Sequence, residues 1–565
     1  MSHSHEPTTF LSKYVFSFDH KVIGIQYLIT ALFMAVIGGL LALTIRYQLA
    51  WPSENVVSAE SYLSLVTMHG TIMVFFVISM GLVSGFGNLL IPLHVGARDM
   101  AYPFLNMLSY WVMVPACLLM IGSFFVEGGA AAAGWTAYPP LSALKDAVPG
   151  SGMGQTLWLL AMALFIVSFT MGSLNYLTTI LNERTRGMSM MKLPLLTWTF
   201  LISAIIGILA FPALTAAAVM LLFDRHAGTS FFLPAGMYFE GTGVLPNMGG
   251  TPLLFQHLFW FLGHPEVYVL VLPALGITFE IIAAFGRRSP FGYRTTVYSL
   301  LCVAFLSMIV WGHHMFTSGM DPRIGEYFSI VTVMITVPFS VIGLNLIGSL
   351  WQARIRAETP MLFALGVISA MGMGGLGGLY LGTATSDMYF HDSYFVVGHF
   401  HLTIGTVTFL ALFGGIYHWF PKFIGRKTNE LLGKTHFWLT IIPMFAMFLL
   451  MHLQGMGGIH RRYYDVTQYS YPNASAMALM PWISYLAFAL FAGQLVFAFN
   501  VIWSIFRGEK SSENPWGATT LEWTAPSPAP HGNWPDKVPV VHRDPYDYGS
   551  DGVWAQNVEN AEGQA

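Results

Sequence analysis

Long apolar stretches separated by short polar loops run through almost the whole chain. Twelve of them stand near 22–45, 62–92, 104–125, 155–182, 195–223, 252–285, 292–315, 325–351, 361–382, 395–420, 437–455 and 478–506. A helix needs roughly 20 apolar residues to cross the hydrocarbon of a bilayer. Several stretches are longer, which requires tilt or extension beyond the lipid. The pattern predicts an all-α integral membrane protein of about twelve transmembrane helices. It divides the chain into an N-terminal segment (1–21), a twelve-helix domain (22–506) and a tail (507–565). The tail carries the Pro-rich run APSPAPHGNWP and is expected to be extended. Polar residues precede the first stretch and no small-residue cleavage site follows it, so no signal peptide is expected.

Basic residues then set the orientation. With the N-terminus inside, only six of the 25 Lys and Arg residues fall outside: Arg46, Lys145, Arg225, Arg323, Arg461 and Arg462. That asymmetry is what the positive-inside rule describes, and it places both termini in the cytoplasm.

Composition narrows the class. The 565 residues are 55% hydrophobic and 9% charged, whereas soluble proteins carry about 25% charged residues. An ordinary soluble enzyme is excluded. A formal net charge of −3 gives no footprint for nucleic acid. The two cysteines, Cys117 and Cys302, lie inside apolar runs, which excludes a disulfide framework. Histidine is the exception, with 19 in a chain otherwise poor in ionisable groups. Neutral imidazole is the commonest metal ligand.

Six histidines fall at membrane depth: His69, His264, His313, His314, His399 and His401. Any one alone reads as a hydrogen-bonded interior side chain. Together they read as ligands, because ligating groups inside spans are costly and mark function. His399 and His401 are two residues apart, about 200° around a helix, so their rings leave opposite faces. They suit two different prosthetic groups. His313 and His314 are about 100° apart and can converge on one metal at a helix end. In GHPEVY, His264 and Tyr268 are four apart and share a face, while Glu266 points away from it. By the topology above all six lie in the outer half of the bilayer. The count suits one bis-His haem, one mono-His haem with an open face, and a three-His metal.

The segments MHGTIMVF, HPEVY, WGHHMFTSGMDP, HDSYFVVGHFH and HRRY, in this order, resemble subunit I of the haem–copper oxidases. The resemblance runs from FDHKVIG (19–25) to LEWTAPSP (521–528). It implies that His69 and His401 are the axial ligands of a low-spin haem and His399 that of a high-spin haem. It implies that His264, His313 and His314 hold copper B. Tyr268 matches the tyrosine that is cross-linked to the copper ligand His264 and supplies an electron and a proton. Arg461 and Arg462 match arginines that bind haem propionates, and Trp135 a tryptophan near them. Arg46 resembles the arginine that meets the formyl group of a low-spin haem A. His391 and Asp392 match ligands of an outer Mg²⁺ (or Mn²⁺) at the interface with subunit II.

The resemblance further implies a reaction, partners and a location. The reaction is reduction of dioxygen to water, coupled to proton pumping, in a bacterial cytoplasmic (inner) membrane. Subunit II, with copper A and the cytochrome c docking surface, and subunit III are the expected partners, with cytochrome c the donor. Asn88, Asp99, Asn106 and Asn175 match the proton route called the D pathway, leading to Glu266 at mid-membrane. A buried carboxyl there can carry a proton in neutral form.

The second proton route departs from the pattern. VPFSVIGLNL (337–346) stands where related enzymes have a threonine and a lysine, here Phe339 and Ile342. Thr332 and, at an inner mouth, Glu280 are the polar residues left to such a route, with Ser340 and Asn345 as substitutes. Two rival readings remain at this point: a haem–copper nitric oxide reductase, which needs no tyrosine, and a proton-coupled secondary transporter, which needs no haem.

Overall fold

The computed structural model describes residues 9–147, 150–239, 243–244 and 249–548. The parts of the N-terminal segment and of the tail at 1–8 and 549–565 lie outside the described residues.

Eleven helices among the described residues are long and apolar enough to cross a membrane. In chain order they are α1 (His20–Ala50), α2 (Ala59–Val95), α3 (Pro103–Phe125), α4 (Met153–Asn182), α5 (Leu195–His226) and α6 (Pro252–Gly286). After the shorter α7 (Tyr293–Ser307) come α8 (Pro322–Leu350), α9 (Thr359–Leu381), α10 (Tyr394–Ile424), α11 (Glu430–Met456) and α12 (Ala474–Arg507). Eleven of the twelve expected stretches are thus single spans.

The stretch 292–315 differs: α7 has 15 residues and stops at Ser307, and a separate 3₁₀ turn follows at Trp311–Met315. The turn packs closely on the next span. A Cβ on Gly312 would meet the Phe328 ring at 2.3 Å, so the backbone there is pressed against α8. That turn carries His313 and His314.

α2 and α6 are buried almost throughout and form the centre, whereas α1 and α12 bury only one side. α5 packs along α6, α1 along α2, α9 along α10, and α11 along α12. The outer faces keep large apolar side chains exposed, among them Phe104, Leu209, Phe305 and Trp482. Such a surface suits lipid or partner helices rather than water.

Local irregularities sit where the histidines are. The middle of α2, Ile72–Gly85, is a π-helix that begins just after His69. In α10 a π segment, His401–Thr406, begins at His401 itself. π segments are rare and frequent at functional sites. α6 contains Pro265 and Pro273, each removing a backbone donor and loosening the helix beside His264 and Glu266.

The tail is not extended. Between 508 and 548 it folds back over one end of the bundle and buries Trp516, Trp523, Trp534, Tyr546 and Tyr548. Its polar groups find partners among the helices. Asn533 Oδ1 accepts from Lys21 Nζ at 2.9 Å and lies 2.9 Å from His20 Nε2, and Lys422 Nζ donates to the Ala525 carbonyl. The Pro-rich composition hid this, because the tail's docking side chains are scattered aromatics without period.

Candidate metal and proton-transfer site

The three histidines His264, His313 and His314 offer ligand nitrogens that all lie within 4.8 Å of one another. This is the only such three-ligand group among the described residues. α6 supplies His264, and the 3₁₀ turn after α7 supplies the adjacent pair. His264 Nδ1 lies 3.2 Å from His314 Nε2, while His264 Nε2 is buried without a hydrogen-bond partner. His313 Nδ1 lies 3.0 Å from Thr332 Oγ1, which leaves its Nε2 free for a metal. The Trp260 indole stacks on His314, with ring centres 3.7 Å apart at 8°. Trp260 is itself held by a hydrogen bond to the Tyr138 hydroxyl. The Tyr268 ring lies 4.7 Å from that of His264, one turn along α6.

The other three histidines share one arrangement. His69 Nδ1 lies 2.9 Å from the Gly38 carbonyl, His399 Nδ1 2.9 Å from Gly374 O, and His401 Nδ1 2.9 Å from Val397 O. A carbonyl at Nδ1 fixes the tautomer with the proton there and turns Nε2, unprotonated, toward the cavity side, as haem and metal sites require. His399 is held against α9 by the Gly374 carbonyl, whereas the His401 ring stacks on Phe448 of α11 with ring centres 4.8 Å apart. The α10 pair therefore does face two ways. Glycines of α9 make the room beside His399: a Cβ at Gly377 would meet His399 Nδ1 at 3.0 Å, and one at Gly378 its Cε1 at 3.1 Å.

A charged cluster closes this end of the bundle. Arg461 Nε donates to Asp392 Oδ1 at 2.7 Å, and the pair forms a salt bridge. Burial works against ionisation of Asp392, but the guanidinium groups of Arg461 and Arg462 outweigh it and hold the carboxyl below the usual range. Burial also lowers Arg462, to about 10. Trp135 sits between α2 and α6: a Cβ at Gly70 would touch it at 3.2 Å, and its ring lies 5.8 Å from that of Trp260. Arg46 is buried, donates to Met480 O at 3.1 Å, and leaves its Nη1 without a partner. His391 Nδ1 lies 2.8 Å from Asp387 Oδ2. His391 and Asp392 belong to no group of three or more potential metal ligands among the described residues.

The residues expected to carry protons lie at and above the opposite end. Asp99 is in the loop between α2 and α3, its Oδ1 accepting from Met100 N at 2.6 Å. Burial raises its carboxyl to about 7. Asn175 Oδ1 accepts from Tyr102 N at 2.9 Å, and Asn88 Nδ2 donates to the Tyr176 hydroxyl at 2.9 Å. Both amide atoms of Asn106, Asn88 Oδ1 and Glu266 Oε2 are buried without protein partners. Glu266 Oε1 lies 2.7 Å from Ser79 Oγ, which is also 2.8 Å from Val74 O. Tyr27, Ser109 and Ser168 add a hydroxyl cluster at 2.9 and 3.4 Å that sequence reasoning missed. Isolated hydroxyls have no pattern by which to find them.

Two residues expected on a second route have partners that the sequence did not reveal. Thr332 is bonded to His313 and so belongs to the histidine triad's surroundings. Glu280 is buried rather than open at a mouth, and the Tyr546 hydroxyl of the tail donates to its Oε1 at 2.5 Å. Asn345 Nδ2 donates to the Thr295 and Thr296 hydroxyls at 2.9 and 2.8 Å. Ile342 is fully buried, and Phe339 packs 5.7 Å from the Tyr268 ring.

A central three-histidine group, two opposed histidine positions and a long-helix membrane bundle define a haem–copper type of oxidoreductase. The sequence profile of the family described as "Cytochrome C and Quinol oxidase polypeptide I" matches residues 22–496, and the chain belongs to that family. The "Alternative cytochrome c oxidase subunit 1" of Bradyrhizobium diazoefficiens is 45% identical over 551 residues, 97% of this chain and 93% of that protein. A "Cytochrome c oxidase subunit 1" of Synechocystis is 43% identical over 541 residues, 95% and 93% of the two chains. One of Thermostichus vulcanus is 41% identical over 536 residues, 95% and 92%. A solved haem–copper terminal oxidase dimer shares the fold, with a TM-score of 0.69 at 18% identity, covering 87% of this chain and 84% of that one. The chain is an oxidase subunit I, a catalytic subunit of electron transport. None of these relatives is described as a nitric oxide reductase or a transporter.

Membership implies haem and copper. The residues present fit both. The converging triad, with His264 Nδ1 3.2 Å from His314 Nε2, suits a tetragonal or trigonal copper. The carbonyl-fixed His69, His401 and His399 suit haem iron, and the unpaired Arg46 donor suits an acceptor on a haem edge.

Proposed function

We propose that this chain is the catalytic subunit of a cytochrome c oxidase that reduces dioxygen to water and pumps protons. The observation that carries the reading is the convergence of His264, His313 and His314, with Tyr268 beside His264. In this reading His399 holds the high-spin haem, His69 and His401 the low-spin haem, and the triad copper B. When bound, these groups supply the electrons and the face on which dioxygen binds.

The chain's own residues then orient and move protons. Thr332 and Trp260 fix two of the copper ligands, one by a hydrogen bond and one by stacking. Tyr268, a turn from His264 on α6, holds its phenol proton next to the reacting site. Arg461, Arg462 and Trp135 bind and shield haem propionates, the guanidinium groups meeting carboxylates by charge-assisted hydrogen bonds. Arg46 donates to the formyl oxygen of haem A. His391 and Asp392 hold Mg²⁺ or Mn²⁺, completed by a carboxylate of subunit II.

Protons enter at Asp99, pass Asn106, Asn88 and Asn175, and reach Glu266. Ser79 Oγ donates to Glu266 Oε1 at 2.7 Å and orients the carboxyl. The orphaned amide atoms along the way have the capacity to bind water.

We place the chain in a bacterial cytoplasmic membrane, and the basic-residue asymmetry supports an orientation with both termini inside. Subunits II and III cover exposed apolar helix faces, and subunit II delivers electrons from cytochrome c. The testing experiment is oxygen consumption by the purified complex with reduced cytochrome c. Consumption that His313→Asn abolishes supports the reading, and a complex that oxidises cytochrome c without consuming oxygen refutes it.

A further inference from the structure

At the tail-covered end of the bundle a second set of buried ionisable groups is unused by the route through Asp99. A cavity of about 40 Å³ lies between the tail and the ends of α2 and α5. That is room for more than one water, each needing on the order of 10–15 Å³. Exposed His542 and Asp544 stand at its mouth, Lys192 and Thr520 on its walls, and fully buried His94 at its floor.

Behind His94 the groups continue inward. His94 Nε2 lies 3.5 Å from Glu522 Oε1, and its Nδ1 lies 3.0 Å from Thr197 Oγ1. Glu522 is fully buried; its Oε1 accepts from Thr520 at 2.8 Å and from Trp419 at 3.4 Å, and its Oε2 has no partner. Glu280 Oε1 accepts from the Tyr546 hydroxyl at 2.5 Å and from the backbone N of Leu196 at 3.3 Å, the residue before the Thr197 that lies beside His94. Two carboxyls and an imidazole buried together are costly unless fully paired, and here the pairing is partial, since Glu522 Oε2 has no hydrogen-bond partner.

Polar groups also continue upward from Glu280, along the seam of α5 and α6. Thr199 fills the space over Gly276, where a Cβ would meet its Oγ1 at 2.5 Å. One turn higher, Ser203 Oγ donates to Val269 O at 3.2 Å. Thr199 and Ser203 are four residues apart, about 6 Å along the helix, which one bridging water spans. Val269 adjoins Tyr268, so the seam ends at the turn that carries Glu266 and Tyr268.

We propose that this cavity is a proton inlet, with His94, Glu522 and Glu280 as its relay and the C-terminal tail as its wall. A proton from water in the mouth binds His94. Glu522 and Glu280 pass it on in turn, each releasing one proton inward as it gains one, and water at the mouth recharges His94. No electron moves in these steps. The inference rests on the oxygen-reducing reading above.

The test is proton uptake by the detergent-purified complex, followed with a pH-indicator dye as reduced enzyme meets oxygen. Glu280→Gln and His94→Asn are each expected to slow uptake about tenfold or more at unchanged haem and copper content. Glu280→Asp, which keeps a carboxyl, restores most of the rate. A purely structural role for the cluster predicts a lowered melting temperature in both Glu280 variants with no difference between them in uptake, and that result overturns the inlet. Uptake within about twofold of the parent in both Glu280→Gln and His94→Asn overturns it as well. If Glu280→Gln does not assemble, His94→Asn and Glu522→Gln decide by the same criterion. A parent complex that consumes no oxygen refutes instead the functional reading on which the inlet rests.

Discussion

Tyr268 lies one helical turn beyond His264 on α6, with the two ring centres 4.7 Å apart and tilted by 63°, and His264 Nε2 has no hydrogen-bond partner. The four-residue spacing makes this contact, since residues i and i+4 stack on one helix face. It leaves a phenol next to the imidazole nitrogen that the metal does not use.

That contact gives the first prediction. A peptide containing 264–268 from the active complex is expected to be lighter than its sequence by the mass of two hydrogens, the signature of a His264–Tyr268 bond. Tyr268→Phe should show the full mass, retain copper, and lose oxygen turnover by about a hundredfold or more. An unmodified peptide from fully active enzyme would contradict this.

The Thr332 hydroxyl 3.0 Å from His313 Nδ1 orients a metal ligand. Partners of this kind change metal affinity by about 10–100-fold. Thr332→Val is therefore expected to weaken copper retention by that order during dialysis against chelator, with both haems retained. Copper analysis and the haem absorption spectrum read the two effects separately.

Asp99 is held at about 7 by burial, so its carboxyl is mostly protonated below that pH and ionised above it. As the pH rises through about 7 the supply of protons from Asp99 falls, and turnover should decline with it. Asp99→Asn should lower turnover at every pH, by about tenfold or more, and remove the inflection near 7. The sign for folding runs the same way. A carboxyl raised above its unfolded value leaves the folded protein relatively more stable at low pH, and that advantage declines as the pH rises from about 4 to 7.

Glu266 meets the protein through Ser79 alone at Oε1, and Oε2 is unpaired. Glu266→Gln keeps the hydrogen bond but carries no transferable proton. Most turnover should disappear while haem content stays normal. Equal turnover in this variant would remove Glu266 from the route.

Much of this was legible in the sequence, for reasons that differ by residue. The spans follow from run length alone, and the opposed positions of His399 and His401 from helical periodicity. The 3₁₀ turn at Trp311–Met315 did not show, because the close approach of Phe328 to Gly312 is a tertiary contact with the next span. Thr332 read as part of a proton route, yet it bonds His313, a contact set by how α8 packs on the turn. Glu280 read as an exposed mouth. It is covered because Tyr546, 266 residues later, folds back onto it. Long-range partners of single hydroxyls and phenols leave no local period, and the tail's aromatics lack one too.

The central claim is that the histidine triad and His399 form a site for dioxygen. The most direct measurement is steady-state turnover of the purified complex with reduced cytochrome c, offered dioxygen and nitric oxide in parallel, with a reduced-minus-oxidised spectrum of the same sample. The account predicts two haem signals and rapid oxygen consumption that His264→Asn abolishes. Rapid nitric oxide turnover with negligible oxygen consumption, or a spectrum without haem bands, would contradict it.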